Sequence, residues 1–345
     1  MKEKTFKKIL VFELNWMGDI LFSFPFLRAL RENFPEAYIQ CVVVPRYAEM
    51  LAANPWVNDV HYLSDNNKIT SIKEKIEFVR MIRKEEYDAC FMLKPSSTKT
   101  IMAVMAGIKN RIGFIGKNDM LTDAVKMPTG EVHRADQILS LASIFGAEKT
   151  DGTYEFHTRR EDQEKADDFL KERCGLPQKI IVINPGGNWD AKRWPSEKYI
   201  KLSKKFLADF ADICIVVTGA EKDIDLSKNI VSKIGSERCI SIAGSTGLNM
   251  LAAIFRRAML VVSADSGPLH LASATGTTTI GLFGPTSSKI TGPRGQGKNV
   301  IISKEVDCEI PCYVEMCIKD FACMNLITVD EVYEQARKVL AEDVG

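Results

Sequence analysis

Residues 261–286 read VVSADSGPLHLASATGTTTIGLFGPT, and the reading of this run decides the fold. It divides into an apolar strand over 260–264, a tight turn at Asp265-Ser266-Gly267, a short helix opened by Pro268, and a second strand over 278–283. Pro just inside a helix start, preceded by Asp and Ser as candidate caps, marks a helix N-terminus. Such a terminus carries free backbone N–H groups and a partial positive charge, so it attracts anions, phosphates above all. Gly267 lacks the Cβ that would hold a phosphate away from the backbone. On these features alone the run serves equally well as an ordinary βαβ turn.

The same alternation extends outward. Strands over 9–14, 38–44, 57–63 and 88–93 alternate with helices over 20–34, 46–54, 69–83 and 97–106. Pro25 predicts a kink or a late first turn in the first of these helices. From 109 to about 160 the pattern is less periodic, with GFIG (113–116) and MPTGEVHR (127–134) as loops and a helix over 135–145. Alternation restarts with a helix over 161–173, then strands over 179–184, 213–218 and 239–242, separated by helices over 196–210 and 224–234. A helix over 248–256 leads into the opening run. Thr328-x-x-Glu331 is a capping box that starts a final helix with Val332, Ala336 and Leu340 on one face. The class is therefore α/β with parallel, doubly wound sheets. A chain of 345 residues suits two such domains, 1–160 and 161–327, with the closing helix 328–345 expected to pack back on the first.

Bulk properties narrow the function. The 46 basic and 45 acidic residues leave a net charge of +1, so no global field points to nucleic acid. No apolar run is long enough to span a bilayer. The start, MKEKTFKKILVFEL, resembles a signal peptide only until Glu13, Asn15 and Asp19 interrupt it, and a buried first strand is the better reading. Nine cysteines without a secretion signal predict a reducing, cytoplasmic location.

The turns leaving the strands carry the candidate chemistry. The first turn has one glycine, Gly18, so the G-x-G-x-x-G of a dinucleotide site is missing, as is the G-x-x-x-x-G-K-[ST] of a P-loop. It offers instead Asp19, either a helix cap or a general base. In the second half, Asn184-Pro185-Gly186-Gly187-Asn188 leaves a strand, and Lys192 follows where it can reach an anion. Solvated charges at Lys192 and Arg193 around a core Trp194 are the plainer alternative. Glu221, at the end of the next strand, fits a ribose-binding acid and a helix cap about equally. His270, one turn into the candidate anion-binding helix, reads as functional rather than structural.

WMGDILFSFPFLRAL, NPGGNWDAKRWPSEKY, TGAEKD and SADSGPLHLASATGTTTIGLFGPT occur here in the order and spacing of the ADP-heptose:lipopolysaccharide heptosyltransferases. The chain resembles that family over nearly its whole length, its heptosyltransferase II branch most of all, through NWMGD, AKRWP and YDACFMLKPSSTKT…AGIKNRIGF. The resemblance implies a GT-B glycosyltransferase, two Rossmann-like domains facing a central cleft, the first binding acceptor and the second ADP-heptose. It implies that Asp19 is the base that deprotonates the acceptor hydroxyl, which then displaces ADP with inversion and without a required metal or other cofactor. Lys192 matches the lysine that holds the diphosphate. Gly187 and Asn188 stand where other members carry two threonines, so backbone contacts replace side-chain ones there. Glu221 matches the ribose-binding acid and Asp265 a residue contacting the heptose hydroxyls. Ser266, Gly267 and His270 form the phosphate cradle, and Thr246 joins the donor-binding set. Preorganised donors at the β-phosphate would stabilise the charge of the leaving group.

The acceptor so implied, the lipopolysaccharide inner core, is rich in carboxylates and phosphates. Arg46, Lys94, Lys99 and Arg111 lie near expected strand ends of the first domain as candidate partners. Contact with the membrane would be peripheral, through that substrate at the inner face of the inner membrane. The run Cys308-x₃-Cys312-x₄-Cys317-x₅-Cys323 fits no standard zinc knuckle. Related protein heptosyltransferases hold a metal on a cysteine cluster, so metal is the alternative to packed thiols or a disulfide. A sister enzyme using another nucleotide-sugar or a protein acceptor, and a non-catalytic nucleotide-sugar binder, are the rival functions.

Overall fold

Strands buried on both faces read as continuous apolar runs, and KILVF is one of them. It forms β1 (Lys8–Phe12), the centre of a parallel sheet in the computed structural model, which describes residues 5–63, 72–116, 120–147, 150–175, 179–312 and 317–342. The chain divides into two units, 1–157 and 158–345.

The first unit continues with α1 (Met17–Asn33), β2 (Tyr38–Val43), α2 (Ala48–Ala52), β3 (Asp59–Tyr62), α3 (Ile72–Lys84), β4 (Ala89–Met92), α4 (Ser97–Met105), β5 (Asn110–Phe114), β6 (Asp123–Val125) and α5 (Arg134–Leu139). Its strands order as β3-β2-β1-β4-β5-β6, all neighbours parallel. One face of this sheet packs Leu10, Phe12, Cys90 and Met92 against Phe78, Val79 and Ile82 of α3. On α1, Phe26 packs edge-on against Phe91 of β4, their ring centroids 5.3 Å apart. Pro25 lies inside α1, which continues through it to Asn33.

The second unit comprises α6 (Arg160–Cys174), β7 (Lys179–Asn184), α7 (Ser196–Asp209), β8 (Ile213–Val217), α8 (Ile224–Ile234), β9 (Cys239–Ser241), α9 (Leu248–Arg257), β10 (Leu260–Ala264), α10 (Gly267–Ala274), β11 (Thr279–Phe283), α11 (Ser288–Thr291), β12 (Asn299–Ser303), α12 (Ala322–Asn325) and α13 (Val329–Glu342). Its order, β12-β11-β10-β7-β8-β9, is again wholly parallel. Both sheets are doubly wound, as the alternation predicts.

Three strands escape the sequence pattern. Gly113 and Phe114, read as loop, lie in β5, while β6 and β12 are short edge strands with polar residues at their ends. The expected helix over 69–83 is described from Ile72 onward; 69–71 lie outside the described residues. The closing helix, α13, buries Val332, Tyr333, Ala336, Val339 and Leu340 in the core of the second unit. Its start is the expected cap, with Glu331 N donating to Thr328 Oγ1 at 3.2 Å. No helix among the described residues is long and apolar enough to cross a membrane.

Trp194 anchors the segment before that helix. It is 1% exposed, its Nε1 donates to the Ile327 carbonyl at 3.0 Å, and its ring meets Tyr199 edge-on at 4.9 Å. Trp194→Ala should therefore cost about 3–5 kcal/mol, almost all of it lost burial, because Lys198 Nζ still donates to the Ile327 carbonyl at 2.7 Å. Urea unfolding measures it; a loss under about 1 kcal/mol would refute this packing account.

Candidate active site

In an open parallel sheet, ligands bind beyond the carboxyl ends of the strands, where the strand order reverses and the outgoing loops diverge. In the second unit the reversal lies between β7 and β10. The loops leaving these strands are 185–189 and Asp265-Ser266, the turn on which the fold reading began.

Asp265 is 5% exposed, and three side chains reach its carboxylate. Lys192 Nζ donates to Oδ2 at 2.8 Å, Thr291 Oγ1 donates to the same oxygen at 3.3 Å, and His270 Nε2 lies 3.3 Å from Oδ1. Burial acts to raise the Asp265 pKa, but the His270 hydrogen bond and the Lys192 charge outweigh it and hold the carboxyl well below the usual range. Asp265 is thus a fixed anion, and Lys192 a cation held beside the crevice.

Ser266 is the N-cap of α10 in extended conformation, Pro268 sits in the first turn, and no side chain caps the amides. Uncapped amides there suit an anion. Asn184 Nδ2 donates to Ser263 Oγ at 3.0 Å and to Ser266 Oγ at 3.2 Å, fixing the Ser266 turn on the end of β7. Across the crevice, the Gly187 carbonyl accepts from Arg193 Nη2 at 2.7 Å and from Lys222 Nζ at 3.1 Å, and Lys222 also reaches Asn188 Oδ1 at 2.7 Å. Gly186 is required: a Cβ there would lie 2.5 Å from Asp223 Oδ2, the oxygen that accepts from Ala220 N. Glu221 is exposed beside it, at the carboxyl end of β8. Thr246 lies in the turn between β9 and α9. The structure therefore brings Lys192, Asp265, Ser266, Gly267 and His270 together at the switch point, with Gly187 and Asn188 on the loop that leaves β7. It adds Thr291 and Lys222, which the sequence does not flag because each joins the site from a different connection.

The reversal in the first unit lies between β1 and β4. Asp19, partly buried, stands in the first turn of α1. Arg46 follows β2, donates to the Asn15 carbonyl at 3.1 Å and lies over the Trp16 ring at 5.1 Å. Lys94 follows β4, and Lys99 of α4 donates to the Glu13 carbonyl at 3.1 Å. Arg111 does not join them. It starts β5 in register with Cys90, at the amino end of the sheet, and its guanidinium donates to the carbonyls of Met120, Ile108 and Lys109.

Cys308, Cys312, Cys317 and Cys323 line one small cavity of about 30 Å³ with Pro285 and Phe321. All four are free thiols, and the described residues contain no group of three or more His, Cys, Asp or Glu placed to hold a metal.

Two doubly wound parallel units, the second with an amide-lined, cation-bearing crevice at its switch point, are the plan of a GT-B glycosyltransferase. A model of glycosyltransferase family 9 (heptosyltransferase) matches residues 76–320, and the chain belongs to that family. Lipopolysaccharide heptosyltransferase 2 of Escherichia coli K12 is 25% identical over 310 residues, covering 85% of this chain and 87% of that protein. Two solved structures share the fold at 22% identity. The glycosyl transferase family 9 protein of Veillonella parvula has a TM-score of 0.87 over 99% of both chains. The E. coli ADP-heptose lps heptosyltransferase II has a TM-score of 0.83 over 98% of this chain and 100% of its own.

The Asp265 network makes a stability prediction. Asp265→Asn removes the charge that compensates Lys192, costing about 2–3 kcal/mol at pH 7, below the range for fully buried pairs because Lys192 stays partly exposed. Since the folded-state pKa of Asp265 is depressed, its contribution is present above the unfolded value of 3.8 and fades as pH falls below it. Denaturation at pH 7 and pH 3 should show the gap between wild type and variant narrowing in acid. A gap independent of pH would contradict the assignment.

Proposed function

We propose that this enzyme transfers L-glycero-D-manno-heptose from ADP-heptose to the lipopolysaccharide inner core, with inversion, at the cytoplasmic face of the inner membrane. The observation that carries the reading is the switch-point crevice of the second unit. There Lys192, held on Asp265, stands beside the uncapped amides that open α10. Family membership and the names of the relatives supply the sugar and the acceptor.

In this reading the diphosphate lies on the Ser266–Gly267 amides and Lys192, Glu221 takes the ribose hydroxyls, and Asp265 faces the heptose. Gly187 contributes backbone, Asn188 and Thr246 complete the donor side, and His270 orients Asp265. Asp19 accepts the proton of the acceptor hydroxyl in the first unit, with Arg46, Lys94 and Lys99 available to acceptor anions. The acceptor oxygen forms its bond to the anomeric carbon as the bond from that carbon to the β-phosphate oxygen breaks, and ADP leaves with the electron pair. Donors preorganised at the β-phosphate stabilise the charge that develops there.

Purified protein with ADP-heptose and heptose-truncated lipopolysaccharide should release ADP. Asp19→Asn should lower kcat at least about a hundredfold while ADP affinity stays within about twofold. Lys192→Ala should weaken ADP binding and rate together. Full activity of the Asp19 variant would remove the base. Release from a different nucleotide-sugar alone would replace the donor.

A further inference from the structure

Glu13 is a buried carboxyl that the mechanism above does not use. It follows β1 directly, its backbone N donates to the Val42 carbonyl at 2.9 Å, and its side chain is 1% exposed. Its oxygens Oε1 and Oε2 lie 3.1 and 3.0 Å from Ser23 Oγ, and Leu14 N donates to Oε2 at 3.3 Å. Ser23 Oγ also lies 2.7 Å from the Ile20 carbonyl.

A hydroxyl has one hydrogen to donate. With Glu13 ionised, the Ile20 carbonyl and the carboxylate compete for the one Ser23 hydrogen. With Glu13 protonated, its own hydrogen can go to Ser23 Oγ and the competition ends. The surroundings favour that form: burial pushes Glu13 up to about 7, against the lowering effects of Ser23, Leu14 and Lys99. The groups facing it are few. Ser23 comes from α1, with Asp19 one turn earlier. Cys41 comes from β2, its thiol pushed up by burial and by the Glu13 charge. Lys99 comes from α4, its amine pushed down to about 8 by burial, with Lys94 acting in the same direction and Glu13 opposing.

The place matters because of what α1 lacks. Its N-cap, Trp16, makes no side-chain capping bond, and Pro25 cannot donate to the carbonyl of Leu21. The helix therefore lacks two of the local bonds that would hold the turns carrying Asp19. Ser23 lies four residues after Asp19, on the same face of the helix.

We propose that Glu13 is a positioning residue for Asp19: through Ser23 it clamps the opening turns of α1 onto the end of β1, while Lys99 ties α4 to the same point. The inference rests on the reading of Asp19 as the base. When Glu13 is protonated, the relay runs from its carboxyl to the Ser23 hydroxyl to the Ile20 carbonyl.

The test compares Glu13→Gln, Glu13→Leu, Ser23→Ala and Asp19→Asn in the full-length enzyme. Gln keeps a neutral donor at the head of the relay and should hold kcat within about threefold of wild type. Leu and Ala break the relay and should lower kcat about tenfold or more, the scale of a small misplacement, with KM for ADP-heptose unchanged. A merely structural role would not produce that split or the rescue by Gln. Because the folded-state pKa of Glu13 is raised, wild type loses stability as pH climbs from 4.5 through about 7, and the Gln variant does not. The Tm advantage of Glu13→Gln should therefore grow over that interval and level off above it. If Glu13→Leu does not fold, Ser23→Ala decides the kinetic question. Wild-type kcat in the relay-breaking variants beside an inactive Asp19→Asn would overturn the positioning role alone, as would a Tm difference flat in pH. Full activity of Asp19→Asn would overturn the base reading, and this inference with it.

Discussion

A carboxylate that is 5% exposed must be compensated where it stands, and the second unit is arranged around that requirement at Asp265. Compensation comes from three connections at once: Lys192 after β7, His270 on α10 and Thr291 on α11. These loops leave the sheet separately, so the one carboxylate fixes them relative to each other. It also determines where the cation sits. Lys192 cannot wander into solvent without leaving Asp265 uncompensated, so a charge complementary to an anion waits beside the open amides of α10.

The first unit repeats the winding with different chemistry. Its strand order reverses between β1 and β4, so the loops leaving those strands meet in the same topological position. Here the crevice carries Asp19 at a helix start, with Lys99 drawn inward to a backbone carbonyl. In the proposed function the second unit holds the diphosphate and the first accepts the acceptor proton.

The sequence was most legible where one local signal dominated. Asp265-Ser266-Gly267-Pro268 announces its turn and helix start because Gly, Pro and cap residues act locally. The central strands are readable because burial on both faces forces continuous apolar runs. Edge strands face water, and β6 and β12 hold only two and three consecutive apolar residues, too few to stand out from the loops around them. Arg111 was misplaced because GFIG reads as loop; once β5 runs through Gly113, Arg111 belongs to the amino end of the strand. The closing helix shows an apolar face but not its partner, which is set by long-range contacts such as that of Trp194 with the Ile327 carbonyl. Thr291, Lys222 and Glu13 have no local signature, since their roles arise only when separate connections converge.

The central claim is that the donor diphosphate binds at the switch point of the second unit, and a crystal structure with ADP bound tests it directly. The β-phosphate oxygens should lie within hydrogen-bond distance of Lys192 Nζ and of the backbone amides at Ser266 and Gly267. ADP seated elsewhere, with Lys192 and those amides untouched, would contradict the account.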